Sequence, residues 1–379
     1  MGVALWLSIT LIIYPYLIYP LVIWVIGSAR PRSVRRAAYL PPVTILIPAY
    51  NEVANIAATI QNKLMQDYPH GKLQIIVISD ASSDGTDAVV ASFEDPRVQL
   101  LRRTERAGKA AGLNAAVPLA SGEILVFSDG NSLFGPNALR YLVANFADPE
   151  VGYVTGSLGF TATKDHLSSA GIGAYMRYEN LIRRMETTTG SIIGVNGGVD
   201  AIRTELYVDT PAHMITDFIL PLTVIARKFR VIFDPLVTAY EVPNTALGSE
   251  FKMRVRVALR AMQGLVYMRE LLNPVRHPLE AFCLISHKLL RYAGFAFMLV
   301  ALGCNAALAY DSAFYQFLLG VQVGMYGLAL IGMLPTLPRA LKAATVVPSY
   351  LLLSNAAFAL ASLRFLRGDV VAVWRPRAG

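Results

Sequence analysis

Short apolar runs that stop abruptly at acidic or small polar residues recur through the middle of the chain, and long uncharged stretches lie towards its two ends. Within Glu123–Ser132, the run Ile124 to Phe127 suits a strand buried on both faces, and Asp129-Gly130-Asn131 suits the turn that ends it. Val43 to Ile47 behaves the same way and runs into Pro48-Ala49-Tyr50-Asn51-Glu52, while Leu73 to Ile78 runs into Ser79-Asp80 and Ser82-Ser83-Asp84-Gly85-Thr86. A shorter strand is expected over Val98–Leu101. Between these strands, apolar residues recur at helical spacing over Asn55–Asp67 (Ile56, Ile60, Leu64), Asp87–Phe93 and Ala107–Ala120. Alternation of strand and helix without hairpin signals predicts a mostly parallel sheet with helices on both faces. Right-handed crossovers then place Asp80 and Asp129 on one carboxyl edge, where open α/β sheets bind ligands. Read by itself, Asp129 is either a metal or phosphate-site residue or a plain turn cap. Further on, the pattern predicts a strand at Val151–Thr155, a helix over Ala174–Thr187, a glycine-rich loop at Ser191–Asp200, a helix at Phe218–Ala226 and a strand at Val231–Phe233.

The flanks read differently. Leu5 to Ser28 holds no charged residue, exceeds the roughly 20 residues needed to span a bilayer, and is followed by Arg30, Arg32, Arg35 and Arg36. This order predicts a retained anchor with its basic side cytoplasmic rather than a cleaved signal peptide. Tyr292–Tyr310, Ser312–Pro338 and Ala343–Leu363 are each long enough to cross, which makes four spans. A fourth crossing would leave Arg364, Arg367, Arg375 and Arg377 outside, so either the charge asymmetry fails there or one stretch is re-entrant. Over Glu250–Leu272, Lys252, Arg254, Arg256, Arg260 and Arg269 interleave with apolar residues, as in a helix lying at a membrane surface. The implied layout is an N-terminal anchor (1–29), an α/β domain (40–246), interfacial helices (247–290), membrane helices (291–365) and a tail (366–379). The composition agrees: 54% hydrophobic, only 16% charged, and a mean hydropathy of +0.46. The net charge of +8 clusters beside the apolar spans, which favours membrane lipids and an anionic substrate over nucleic acid. Cys283 and Cys304 lack metal-ligand spacing and read as packing residues.

Four ordered signals, Pro48-Ala49-Tyr50-Asn51-Glu52, Ser79-Asp80 with Ser82 to Thr86, Gly108-Lys109-Ala110-Ala111-Gly112-Leu113-Asn114 and Asp129-Gly130-Asn131, together resemble the membrane-bound family-2 glycosyltransferases, which include exopolysaccharide, cellulose and hyaluronan synthases. The resemblance implies a GT-A nucleotide-sugar-binding domain inserted between transmembrane helices, a nucleotide-diphosphate (most often UDP) sugar donor, and Mg²⁺ or Mn²⁺ at Asp129. Ala49, Tyr50, Glu52, Asp80, Lys109, Asp129, Gly130 and Asn131 would then bind the donor. Asn131 stands where the DxD pattern has its second acid, so the metal would rest on few carboxylates plus the phosphates. By the same resemblance Asp217, in Thr216-Asp217, aligns with the family's catalytic base, and Asn196, Gly197 and Gly198 with an acceptor-side loop. Arg256 and Arg260 occupy the place of QxxRW, whose glutamine and tryptophan fall on Val257 and Ala261; either the two arginines grip the diphosphate or they meet lipid head groups.

The expected activity is inverting, metal-dependent transfer of a sugar to a growing extracellular or cell-surface polysaccharide, from the cytoplasmic face of a bacterial inner membrane. Transfer of one sugar to a lipid such as a polyprenyl phosphate or glycolipid is the alternative, and a non-catalytic scaffold is a third. Export or oligomer partners are compatible with either activity.

Overall fold

A computed structural model of the chain describes residues 1–160, 167–241, 247–334 and 337–371. The expected α/β domain is present, and among the described residues its sheet has eight strands. They are β1 (Val43–Ala49), β2 (Leu73–Asp80), β3 (Val98–Arg103), β4 (Ile124–Phe127), β5 (Leu133–Phe134), β6 (Val151–Phe160), β7 (Asp200–Arg203) and β8 (Arg230–Glu241). Their spatial order is β3-β2-β1-β4-β7-β6-β8-β5. The first four are parallel, as the alternating pattern requires. Beyond β4 the sheet is mixed: β7 runs antiparallel to both β4 and β6, β8 runs parallel to β6, and β5 pairs antiparallel with β8. The local pattern missed β5, whose two residues carry too few positions for a period to show, and β7, whose first residue, Asp200, reads as the end of the glycine-rich loop Ser191–Asp200. β8 extends well past the predicted Phe233.

The register explains the convergence of the motifs. Ala49 lies opposite Ser79, and Leu46 lies opposite Phe127, so Tyr50, Asp80 and Asp129 all emerge at the same carboxyl edge. The central strands are buried on both faces, with Ile45, Leu46, Ile47, Ile75, Val77, Ile78 and Ile124 to Val126 fully enclosed. Two apolar cores, one on each side of the sheet, hold this edge rigid.

Among the described residues, three helical segments are long and apolar enough to cross a membrane: Pro278–Leu308, Ala313–Ile331 and Ala344–Leu366. The expected single anchor is instead a pair of helices, Gly2–Ile13 and Ile18–Ala29, bent by 55°, so it is a fourth span or a re-entrant loop. Pro15 lies in the break; it has no N–H to continue the helical ladder and its ring crowds the preceding turn. The basic segment after it is tied to the α/β domain: Arg32 pairs with Glu150 at 2.8 Å, and Arg36 donates to Asn145 (3.0 Å) and pairs with Asp234 (3.3 Å).

The basic helix Leu247–Tyr267 was expected to rest its apolar face on lipid. That face packs on protein: Val255, Ala258 and Leu259 lie against Ala357 and Ala361 of helix Arg339–Leu366, and Gly264 faces Phe218. Cys283 is buried and unpaired, and Cys304 is unpaired and half-buried. Arg375 and Arg377 lie outside the described residues, as do the side chains of Arg339 and Lys342.

Candidate active site

The loop and helix that follow β3 tie the edge together. Asp80, at the end of β2, accepts hydrogen bonds from the backbone N–H groups of Ala107 (3.0 Å) and Gly108 (2.8 Å). Arg106 of the same loop lays its guanidinium over the Tyr50 ring at 3.7 Å. One residue past Gly108, Lys109 opens the helix Lys109–Ala116 and reaches across the edge, its Nζ lying 2.8 Å from Asp129 and 3.4 Å from Asp217. A segment of four residues, 106 to 109, thus touches four of the predicted site residues. Burial alone would lower the Lys109 pKa, but the carboxylates of Asp129 and Asp217 outweigh it and hold the ammonium above the ordinary lysine range.

The turn after β1 is braced locally. Asn51 sits in the left-handed region (φ 54°), which Asn tolerates better than most residues, and its side chain accepts from Ser83 N–H at 2.9 Å. Thr86 Oγ1 accepts from Glu52 N–H (2.9 Å), and Asp84 accepts from Val53 N–H (3.0 Å) and Thr86. Asp84 therefore caps the turn. Gly130 packs against Glu52, and an added Cβ there would come within 3.1 Å of that side chain.

Asp217 lies in the first turn of helix Thr216–Ala226, with its Oδ1 3.2 Å from Thr216 Oγ1. The loop Gly194–Gly198 runs beside it. Gly197 adopts φ 74° and approaches so closely that a Cβ would stand 2.5 Å from Asp217 Oδ2, which makes glycine necessary for both backbone and space. Arg260 does not reach for the edge. Its guanidinium donates to the carbonyls of Ala212, His213 and Met214, immediately before Thr216-Asp217. Burial, and then the neighbouring Arg256, push the Arg260 pKa down to about 10. Arg256 has an interaction partner of its own. Ala261, in the place of the family's tryptophan, is buried.

Two side chains beneath the edge escaped the sequence reading. Asp200, at the start of β7, is fully buried; Thr155 donates to its Oδ1, and its Oδ2 has no hydrogen-bond partner among the described residues. Burial first, and Asp217 second, raise its pKa to about 7. Its signal was an acid placed inside the apolar run Val199-Asp200-Ala201-Ile202. Lys63 is likewise fully buried, on the helix Ile56–Leu64 that follows Glu52. Its Nζ donates to the Ser132 carbonyl (2.5 Å), and on the same helix face Thr59 donates to the Gly130 carbonyl (2.8 Å). Asn62 accepts from Phe134 N–H at 2.7 Å. These contacts clamp the backbone after Asp129. Burial pushes the Lys63 ammonium well below the usual lysine pKa. A lysine on the Ile56, Thr59, Ile60 stripe was the visible clue.

Among the described residues no three His, Cys, Asp or Glu side chains converge as a metal cage. The donor set still fits a hard divalent cation shared with a diphosphate: Asp129 keeps 39% of its side chain exposed, at a turn whose next-but-one residue is Asn131.

A parallel sheet with its motifs along one carboxyl edge, continued by a mixed half, is the GT-A glycosyltransferase fold. A mannosyltransferase from Pyrobaculum calidifontis, PcManGT, solved with GDP-Man and Mn²⁺, shares that fold with a TM-score of 0.72 and 24% identity, over 97% of this chain and 99% of its own. Residues 44–207, most of the α/β domain, match the model of glycosyl transferase family 2. Poly-beta-1,6-N-acetyl-D-glucosamine synthase of Staphylococcus aureus (strain COL) is 27% identical over 266 residues, 65% of this chain and 64% of its own length. Beta-monoglucosyldiacylglycerol synthase of Trichormus variabilis is 31% identical over 181 residues, 46% of this chain and 39% of its own. The chain thus spans about 64% of the length of the first of these curated relatives. The apolar helices and these likenesses make it a membrane protein.

Proposed function

We propose that this protein is a membrane-embedded inverting glycosyltransferase that moves a sugar from a UDP-sugar to a growing extracellular or cell-surface polysaccharide. The observation that carries this reading is Lys109, whose single ammonium gathers Asp129 and Asp217 from two distant elements at the donor edge. Tyr50 and Asp80 flank the nucleoside, with Ala49 and Glu52 at the same strand end, and Gly130 leaves the backbone open beside Asp129. Lys109 faces the diphosphate and offsets the repulsion between the two carboxylates. A bound Mg²⁺ or Mn²⁺, held by Asp129 with Asn131 adjacent, would stabilise negative charge on the departing diphosphate. Asp217 accepts the proton of the acceptor hydroxyl, and attack opposite the leaving group inverts the sugar carbon. Asn196, Gly197 and Gly198 shape the acceptor side. Arg260 acts through the backbone of residues 212–214, which sets the position of Asp217, and Arg256 stands beside it.

The α/β domain (40–246) is placed on the cytoplasmic face of a bacterial inner membrane, a reading supported by the arginines that follow the N-terminal helices. A single-sugar transfer to a lipid remains the second reading, favoured by the buried Ala261 and by an Arg260 committed to backbone carbonyls. Detergent-purified protein incubated with labelled UDP-sugars separates the two: a ladder of products is expected, whereas one lipid-soluble species supports the second reading. Absence of transfer or hydrolysis from every UDP-sugar sinks both.

A further inference from the structure

The membrane end of the Gly194–Gly198 loop holds a cluster of side chains that the proposed chemistry leaves unused. Helix Leu167–Thr189 brings Glu179, Arg183 and Glu186 to the head of the span Pro278–Leu308, where His287, Lys288 and Arg291 face them. His287 bridges Glu186 (2.7 Å) and Glu179 (3.3 Å), Arg291 pairs with Glu179 (2.5 Å), and Arg183 donates to the Gly194 carbonyl (3.0 Å). Two arginines and a lysine therefore stand against two carboxylates in a largely buried place, and a buried excess charge is costly without a counter-ion.

Two side chains here, Arg291 and Asn196, carry unpartnered donors. Arg291 Nε and Nη2 and Asn196 Nδ2 are buried with no hydrogen-bond partner among the described residues, and each is a donor; the Arg291 guanidinium also lies over the rings of Tyr16 (4.9 Å) and Tyr178 (5.9 Å), which leaves Asn196 Nδ2 as the donor with nothing against it. Lys288 makes no hydrogen bond or ion pair to a described residue, and its Nζ rests against Gly194, where a Cβ would come within 2.6 Å of it. What is missing is an acceptor. The backbone adapts to present this lysine: Leu284–Leu289 is π-helical, an irregularity that recurs at functional sites.

We propose that Lys288 and Asn196, backed by Arg291, form an anion subsite that takes the phosphate of a lipid-linked acceptor. Gly194, beside Lys288, and Gly197, beside Asp217, are three residues apart, a span of no more than about 11 Å. An anion on Lys288 and a hydroxyl offered to Asp217 thus belong to one acceptor head group. The same donors serve a glycan primer carried on a phospholipid or a single lipid phosphate. This assignment rests on the transferase reading only for the word acceptor; the phosphate contact is measured without turnover.

The test is binding to the full-length protein in detergent, with the donor site filled by saturating UDP and Mn²⁺. Farnesyl phosphate should bind roughly tenfold or more tightly than farnesol, the scale of one hydrogen bond to a charged group. Lys288→Met should erase that preference, Lys288→Arg should keep it, and neither should alter UDP affinity. Inorganic phosphate should compete weakly; if it binds as tightly as farnesyl phosphate, the site takes a free anion and the lipid assignment falls. A phosphate preference that is absent, or that survives in Lys288→Met, overturns the proposal. Should Lys288→Met fail to fold, Asn196→Asp leaves the span untouched: it should weaken farnesyl phosphate and spare farnesol, and unchanged affinity there is equally fatal. Loss of sugar transfer in an otherwise binding-competent protein would count against the transferase reading alone.

Discussion

In the β3-β2-β1-β4 half of the sheet, the candidate side chains other than Lys63 and Lys109, which stand on helices, follow directly from the strand that carries them. In the β7-β6-β8-β5 half and the membrane helices beside it, the candidate groups come from separate places: Asp217 from a helix start, Asp200 from the first residue of a strand, Arg260 from the helix Leu247–Tyr267 and Lys288 from a span. Parallel strands of one register deliver their ends to one edge without further instruction. Antiparallel and helical neighbours do not, and there the positions depend on close packing and on single hydrogen bonds, such as those from Arg260 to the carbonyls before Asp217. The donor half is a platform, and the other half is assembled against it through Lys109.

The largest expected effect falls on the assembled side. Asp217→Asn should reduce sugar transfer about 1,000-fold, within the range for a positioned general base, and leave UDP affinity by calorimetry unchanged. Comparable transfer in that variant would dissolve the division between halves. Asp129→Ala, on the platform side, should cost at least about 100-fold in transfer and abolish the dependence of UDP binding on Mn²⁺. Titrating Mn²⁺ against UDP affinity checks it.

Lys63→Met asks whether the platform needs its clamp. It leaves the Ser132 carbonyl without its donor, worth about 1–3 kcal/mol. A lower melting temperature and a higher Mn²⁺ requirement are expected together; a lower melting temperature alone would make the residue purely structural.

Asp200 sharpens the same contrast through pH. Its pKa of about 7, against about 3.9 for an unperturbed aspartate, means that the folded chain retains a proton the unfolded chain releases. The resulting cost is absent below about pH 4, grows as pH rises, and is complete above about pH 7. Asp200→Asn removes it, so the melting temperature of the variant relative to the parent should climb between pH 5 and 8, by a few degrees. A difference independent of pH would rule out this origin. The smallest effect belongs to Arg106→Ala, which removes a half-exposed cation–π contact of about 0.5–1 kcal/mol and should change UDP affinity only two- to fivefold.

Much of the platform was legible in the chain. Ile124 to Phe127 stopping at Asp129, and Leu73 to Ile78 stopping at Asp80, are local signals, because a strand buried on both faces must be apolar and must end where polar residues begin. Lys63 and Asp200 were visible only as irregularities in apolar stripes; their roles depend on backbone groups far along the chain. The bent N-terminal pair was hidden by composition, because hydropathy counts apolar residues and does not weigh the missing N–H of Pro15.

By itself, the sequence determined the alternation that makes the parallel strands, the acids and glycines at their ends, and the apolar stretches able to cross a membrane. Those depend on neighbours within a few residues. Only the tertiary structure decided that Lys109 joins Asp129 to Asp217, that Arg260 holds the backbone before Asp217, and that Lys288 meets Gly194. Such contacts link elements up to about a hundred residues apart, and their positions are set by how two faces pack, which no local period encodes.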